Sequence, residues 1–490
     1  MIIVIDIGSS SVRSMVIDEN GTIRKKCQKT YEVQTINEKT VVQDASLVLR
    51  QTLATLEEAG SWVLKTQNTI AGISVTAQRS SVIPVDADGR ALDVAITWQD
   101  TRAYPICCEY KEEWEEIYEI TGMRLTPVFS APKMIFLKRN SPEIYQRAFK
   151  LIGFQEYILY HLTGQFATDT SFASRTSLFD IKELQWSERL LDLFGVDKDK
   201  LCPIVSVGSI IGSTNQSITK MLSVDKPVPV ISAGGDQQCA ALGQGCLAAG
   251  DIEVNSGSGA YVIGISDCPV FDPQLSVNCN VSAIEGKWIV EGAVLSAGKA
   301  VDWMNRQFFL EPGEEGYDKF MQACKMTPPG ANGVLISPSF AGKGTPEWNS
   351  KIRAGIFQLS FDNKKTDLTR ALLEGIAAEL AECVDTVEAL IKTETGKLNA
   401  AGGLMHNDVY AQILADMFGK TVSCPEISEA TGIGAWISAE KALGNVKDYS
   451  EAYNKVGGRI ENKLFYPNEK IHRSYMQGNK IRKAYEKIYE

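Results

Sequence analysis

Apolar and polar residues alternate in blocks from the first positions onward. The opening segment MIIVIDIGSSSVRSMVIDENGTI runs apolar over Ile2 to Ile5, passes through a Gly/Ser loop, and returns to a β-type run over Ser14 to Ile17 before the turn Glu19-Asn20-Gly21. This pattern predicts a β-hairpin with a polar tip. Asp44 precedes an amphipathic stretch with Leu47, Leu53 and Leu56, which predicts a capped helix, and Ile70 to Val75 predicts the strand that follows. Strands alternating with helices place the chain in the α/β class with a mixed sheet.

The same logic recurs at DIEVNSGSGAYVIGIS, residues 251 to 266. Two such hairpins about 250 residues apart suggest a duplicated architecture with its boundary near Leu247 to Gly250. Taken singly, each is also what an ordinary tight hairpin looks like. Leu368, Leu372, Ile376, Leu380, Val384 and Val387 recur at helical spacing and predict a long core helix from about Thr366 to Thr395. KLNAAGGLMHNDVYAQILADMFGKTV then predicts a strand, a Gly402-Gly403 turn, a helix from Asp408 closed by Gly419, and a further strand.

At 490 residues and 44% hydrophobic content the chain is long enough for two or three domains. The formal net charge of -10, with no block of Lys or Arg, argues against nucleic acid as a partner. No apolar run approaches the ~18 residues of a membrane span. The start lacks a basic flank, a long apolar segment and a cleavage site, so a cytoplasmic protein with no membrane partner is expected. The 11 cysteines, an odd number that includes adjacent Cys107 and Cys108, read as reduced thiols. Three separated histidines and no CxxC argue against zinc.

VISAGGDQQCAALGQG, residues 230 to 245, sets Asp236, Gln237 and Gln238 at the end of a buried-strand pattern. Asp236 is either a helix N-cap or a carboxylate with chemistry to do. Two phosphate motifs fail on inspection. GAVLSAGKA (292 to 300) has the wrong glycine spacing for a P-loop and Ala300 where the magnesium-binding hydroxyl belongs. GSGAYV (257 to 262) lacks the third glycine of a dinucleotide fingerprint. The hairpin loop Gly8-Ser9-Ser10-Ser11 remains, where small residues let backbone N–H groups converge on an anion beside Asp6 and Arg13.

With these segments the sequence resembles the FGGY carbohydrate kinases. The likeness runs over DIGSSSVR (6 to 13), TAQRSS (76 to 81), TWQDTRA (97 to 103), FATDTSFASRTSLFDI (166 to 181), AGGDQQCAALGQG (233 to 245), NSGSG (255 to 259), EGAVLSAGKAVDW (291 to 303), SPSFAGKGTPEW (338 to 348) and AGGLMHNDVYAQILADMFGKTV (401 to 422). It implies two ribonuclease-H-like domains of the actin and hexokinase type, each a mixed sheet flanked by helices, with a cleft between them. The N-terminal domain, 1–247, would supply the substrate side and first phosphate loop; the C-terminal domain, 248–490, would supply the nucleotide side.

The resemblance also implies ATP and Mg2+ as cofactors and a small sugar or polyol as substrate, and it allows a homodimer. Asp236 becomes the catalytic base, with an ordinary carboxylate pKa of about 3.9. Gln78, Arg79, Trp98, Asp236, Gln237 and Tyr261 become substrate contacts. Gly8, Ser9, Ser10, Arg13, Gly257, Ser258, Gly298, Asp302, Gly403 and Asn407 fall to the nucleotide, although glycerol kinases carry an amide at the position of Asp302. Asp6 and Asp236 would hold magnesium through water.

Gln78, Arg79, Trp98, Asp236 and Gln237 match the glycerol-kinase pattern, but Ser80 and Val128 stand where glycerol kinases place a glutamate and a tyrosine. Losing two polar partners weakens the fit to a three-carbon triol and leaves room for four to six carbons. An open-chain ketose such as xylulose or ribulose is expected first, glycerol second, and a non-catalytic ATP- and sugar-binding protein third. From the residues alone, Trp98 also reads as core and Arg79 as a surface ion-pair member. A hinge is expected near Leu247 to Gly250, with the lobes closing over ATP and sugar.

Overall fold

A computed structural model of the chain describes residues 1–308, 314–427, 429–457 and 462–489. The first sheet contains β1 (Ile2–Ile7), β2 (Ser11–Ile17), β3 (Ile23–Thr30), β4 (Gly72–Ala77), β5 (Ile210–Ser213) and β6 (Pro229–Gly235). Their order is β5-β6-β4-β1-β2-β3, with β1, β2 and β3 antiparallel and β4 and β6 parallel to β1.

The second sheet contains β7 (Ile252–Ser256), β8 (Ala260–Ser266), β9 (Asn278–Val281), β10 (Trp288–Val294), β11 (Leu398–Ala401), β12 (Val422–Pro425) and β13 (Asn462–Phe465). It is ordered β9-β10-β8-β7-β11-β12-β13. Five strands of one sheet, β3-β2-β1-β4-β6, correspond in order and direction to β10-β8-β7-β11-β12 of the other. The duplication expected from the two hairpins is therefore present in the topology. Each sheet adds strands at its margins: β5 in the first, β9 and β13 in the second.

Alternate side chains of a strand point to opposite faces, and β1 is apolar on both. Ile3, Ile5 and Ile7 pack against Val48, Leu56 and Val63 of helix α1 (Ala45–Lys65), whose N-cap Asp44 accepts from Leu47 N. Burying an aliphatic side chain of this size stabilises by about 1.5–3 kcal/mol. Ile2 and Val4 face the other way, toward Ile433, Trp436 and Ile437. Those three belong to helix α6 (Ala430–Ala442), so the second half of the chain returns to cover the first sheet.

Further helices are α2 (Asp236–Gly243), α3 (Gly298–Phe308), α4 (Lys365–Ile391) and α5 (Asp408–Phe418). Helix α4 is the long core helix; Leu372, Ile376, Leu380 and Val384 lie in the core of the second sheet. Ala241 of α2 packs on the opposite face of that sheet, with Ile263 and Ile289. Thus α2 is held between the two halves.

A helical insertion between β4 and β5 builds its own core around Ile117, Met134, Ile135 and Leu190. It bonds directly to the second half, Tyr118 Oη donating to Val277 O at 2.9 Å and Cys279 N to Gly122 O at 2.7 Å. Among the described residues, no helix is long and apolar enough to cross a membrane.

Candidate active site

Strands β1, β4 and β6 run parallel, and their carboxyl ends meet. Asp6 is in register with Thr76, and Thr76 with Gly234, which brings Asp6, the Gln78-Arg79 pair and Asp236 to one edge of the sheet. Ligands of α/β sheets bind at this edge, where loops leave the carboxyl ends of parallel strands. Asp236 opens α2, with Gly235 as its N-cap, so the helix dipole favours its negative charge.

The Asp236 carboxylate is engaged rather than bare. Oδ1 accepts from Gln237 N at 2.8 Å and lies 3.3 Å from Arg79 Nε. Burial pushes its pKa above the ordinary value, with Arg79 the main opposing influence. The ordinary carboxylate expected from the sequence is corrected on this point, because that expectation took no account of desolvation. Gln237 meets Asp236 through its backbone N–H.

Arg79 is buried, with a side chain 9% exposed, and is not a surface ion-pair member. Its Nη1 reaches Gln238 Oε1 at 3.1 Å and Glu291 Oε2 at 3.3 Å. Arg175, from the insertion, reaches the same Glu291 oxygen at 3.4 Å. Its guanidinium lies over the Phe129 ring, 4.8 Å from the centroid. Burial lowers the Arg175 pKa to about 10, and Arg79 beside it pushes the same way. Glu291 moves the other way: Arg175 and Arg79 outweigh burial and hold its carboxyl below the usual range. Tyr261 borders this group and is partly exposed; burial first, then the Glu291 charge, raises its phenol. Lys133 donates from Nζ to the carbonyls of Pro127, Val128 and Phe129, fixing the loop that carries Val128.

The first loop is tied down by side chains. Ser9 Oγ donates to Gln78 Oε1 at 3.1 Å and receives Trp98 Nε1 at 3.1 Å, while Gln43 Nε2 donates to Ser9 O at 2.6 Å. Gln78 and Trp98, expected to touch substrate, thus also position the loop. Gly8 accepts Tyr31 Oη at 2.6 Å, and Ser10 is exposed. Arg13 stands between Asp6 at 3.4 Å and Glu429 at 3.3 Å, so its charge is already shared by two carboxylates. Burial raises the Asp6 pKa to about 7; Arg13 opposes this and Asp236 adds to it.

On the second sheet, the carbonyls of Gly257 and Ser258 accept from Gly298 N and Lys299 N, seating the second loop on the N-terminus of α3. A Cβ at Gly298 would lie 2.6 Å from Gly257 O. Asp302 is exposed on α3. Gly403 is exposed, and nothing would crowd a Cβ there. Asn407 caps α5, accepting from Val409 N at 2.9 Å. Beside this turn a cavity of about 400 Å³ is lined by Gln244, Gly402, Met405, His406, Glu426 and Lys463. Among the described residues, no group of three or more His, Cys, Asp or Glu is placed to hold a metal directly.

Sequence reasoning missed Glu291, Arg175, Gln238 and Gln43. Glu291 and Arg175 lie inside the segments EGAVLSAGKAVDW and FATDTSFASRTSLFDI, so a charged residue in an otherwise small or apolar motif was the available signal.

Two family descriptions match the chain: the FGGY family of carbohydrate kinases, N-terminal domain, over residues 1–243, and its C-terminal domain over residues 253–443. The chain is 26% identical to a gluconokinase of Bacillus subtilis over 481 residues, covering 96% of this chain and 93% of that one. It is 27% identical to a xylulose kinase of the same species over 469 residues, covering 95% and 92%. The crystal structure of Plasmodium falciparum glycerol kinase with ADP superposes with a TM-score of 0.89 at 26% identity, covering 99% of this chain and 98% of that one. With both domains matched and the doubled sheet in place, the chain belongs to the FGGY family of carbohydrate kinases, ATP-dependent phosphotransferases acting on sugars and polyols.

Proposed function

We propose that this kinase phosphorylates an open-chain sugar or polyol of four to six carbons, a ketose such as xylulose or ribulose first. The observation that carries the reading is Asp236 at the start of α2, paired with Arg79 at the meeting point of the parallel strands. In the reaction the substrate hydroxyl gives its proton to the Asp236 carboxylate as its oxygen bonds to the γ-phosphorus. The bond from that phosphorus to the β,γ-bridging oxygen breaks, and ADP leaves. Phosphoryl transfer rests on positioning and charge neutralisation, so a carboxylate base suffices.

The first loop at Gly8 to Ser10 and the second at Gly257 and Ser258 would hold phosphates, with Gly403 and Asn407 near the adenosine. Asp6 and Asp236 each carry a raised pKa, and the Asp236 charge adds to the rise at Asp6, a donor set that suits a divalent cation held through water. Magnesium, when bound, would neutralise phosphate charge. Ser80 is small and buried, and Val128 is apolar, which supports a longer substrate than glycerol. The test is ADP release with Mg-ATP across glycerol, erythritol, xylulose, ribulose, xylitol and gluconate. A preferred four- to six-carbon substrate is expected, with Asp236→Asn lowering kcat by about 10²–10⁴-fold. Unchanged turnover in the variant would remove Asp236 from the chemistry, and a preference for glycerol would refute the chain-length argument.

A further inference from the structure

Resting on the reading of the Asp236 region as the sugar site, we propose that Glu291 sets the charge selectivity of the pocket, admitting neutral polyols and ketoses and rejecting sugar acids. Two guanidinium groups, Arg79 and Arg175, converge there with side chains 9% and 6% exposed. Left alone, they would form a strong anion site, because a buried cation demands a partner. Glu291 supplies one: its Oε2 lies 3.3 Å from Arg79 and 3.4 Å from Arg175.

Asp236 takes the remaining share of Arg79 at 3.3 Å. Two cations thus meet two carboxylates, and the ion pairs in the wall balance. Of the other polar groups facing this cluster, Tyr261, Gln238 and Asn280 are neutral, Gln238 Nε2 donating to Asn280 Oδ1 at 3.0 Å, and the Asp6 carboxyl near Asp236 can add only negative charge. Lys133 stands behind, its ammonium spent on three backbone carbonyls. A carboxylate substrate would lose its water here without gaining an uncommitted cation, and burying an unpaired charge is costly. A neutral chain of hydroxyls meets no such penalty, and the Glu291 and Asp236 oxygens offer it acceptors.

Glu291 comes from β10 of the second sheet, whereas Arg79 follows β4 and Arg175 belongs to the insertion. A change at this one position therefore alters the charge of the wall without touching the two arginines. The Glu291→Gln substitution keeps the size and removes the charge, leaving the pair of guanidiniums one carboxylate short.

The experiment measures kcat/KM for xylulose and for gluconate, at fixed saturating Mg-ATP, in the wild type, Glu291→Gln and Glu291→Asp. The wild type is expected to favour the neutral substrate. In Glu291→Gln the xylulose-to-gluconate ratio falls at least tenfold, through a lower KM for gluconate, with KM for ATP unchanged. Glu291→Asp, which retains the charge, keeps the ratio within about threefold of wild type. A wild type that prefers gluconate, or a ratio that does not move in Glu291→Gln, overturns the proposal. Should Glu291→Gln fail to fold, competitive inhibition of the wild type decides: a Ki for gluconate at or below the KM for the best neutral substrate refutes it. Absence of ADP with every substrate would instead count against the kinase site itself, which keeps the two failures apart.

Discussion

Replacing Gly434 with alanine should cripple turnover at a distance from any substrate. Helices α2 and α6 touch backbone to backbone: a Cβ at Gly434 would lie 1.8 Å from Cys239 O, and one at Gly243 would lie 1.9 Å from Ala430 O. An ordinary contact to a new methyl needs at least 3.4 Å, so the helices must part by well over an ångström. Neither has free room to move. Helix α6 is anchored by buried Trp436 against the first sheet, and α2 is wedged against the second by Ala241. Overpacking of this kind costs about 1–3 kcal/mol. Cys239 is one turn along α2 from Asp236, so part of the displacement reaches the proposed base. A misplacement of about 1 Å costs on the order of 10²-fold in rate. The assay is steady-state ADP release with thermal unfolding in parallel. Gly434→Ala is expected to lose roughly 10²-fold in kcat while still folding. Loss of stability with kcat within threefold of wild type would show that α6 yields alone, and that α2 is not held as argued.

Glu253 is buried on β7, and burial raises its pKa to about 8, the neighbouring Asn255 side chain opposing. The folded form therefore keeps a proton that the unfolded chain releases above about 4.5, so its contribution is full below that pH and is lost as pH rises through about 8. Glu253→Gln should flatten the fall of Tm between pH about 4.5 and about 8; parallel Tm curves for variant and wild type would exclude the linkage. Gly298→Ala should push the Gly257-Ser258 loop off the start of α3 and raise KM for ATP about tenfold, with KM for sugar unaltered. An unchanged KM for ATP would mean that this loop does not bind phosphate.

Features set by neighbours along the chain were legible in the sequence. The opening hairpin, the Asp44 cap, the core helix and the strand-glycine-helix segment near Gly402 each declared themselves through local period or turn chemistry. Their limits moved by a few residues: the strand expected at Ile70 to Val75 is Gly72–Ala77, and the helix expected to end at Thr395 ends at Ile391. What stayed hidden depends on contacts distant in sequence. Arg79 and Glu291 are 212 positions apart, and no spacing rule joins them. The raised pKa of Asp236 was equally invisible, since it follows from burial by elements that are not its sequence neighbours. Ser9, Gln78 and Trp98 are each expected at a ligand, yet they bond one another, because a loop proposed to cradle phosphate must first be shaped.

The return of α6 to the first sheet carries a consequence for synthesis. Ile2, Val4, Met15 and Ile17 are made roughly 400 residues before part of their cover, Ile433, Trp436 and Val456 of α6 and of the helix Tyr449–Gly457. At about 5–20 residues per second, the face made first waits tens of seconds for its lid. During that interval an apolar sheet surface stands open on the growing chain, and only synthesis of α6 and the helix after it closes it. The first sheet therefore reaches its native packing only once α6 and the helix Tyr449–Gly457 have been made.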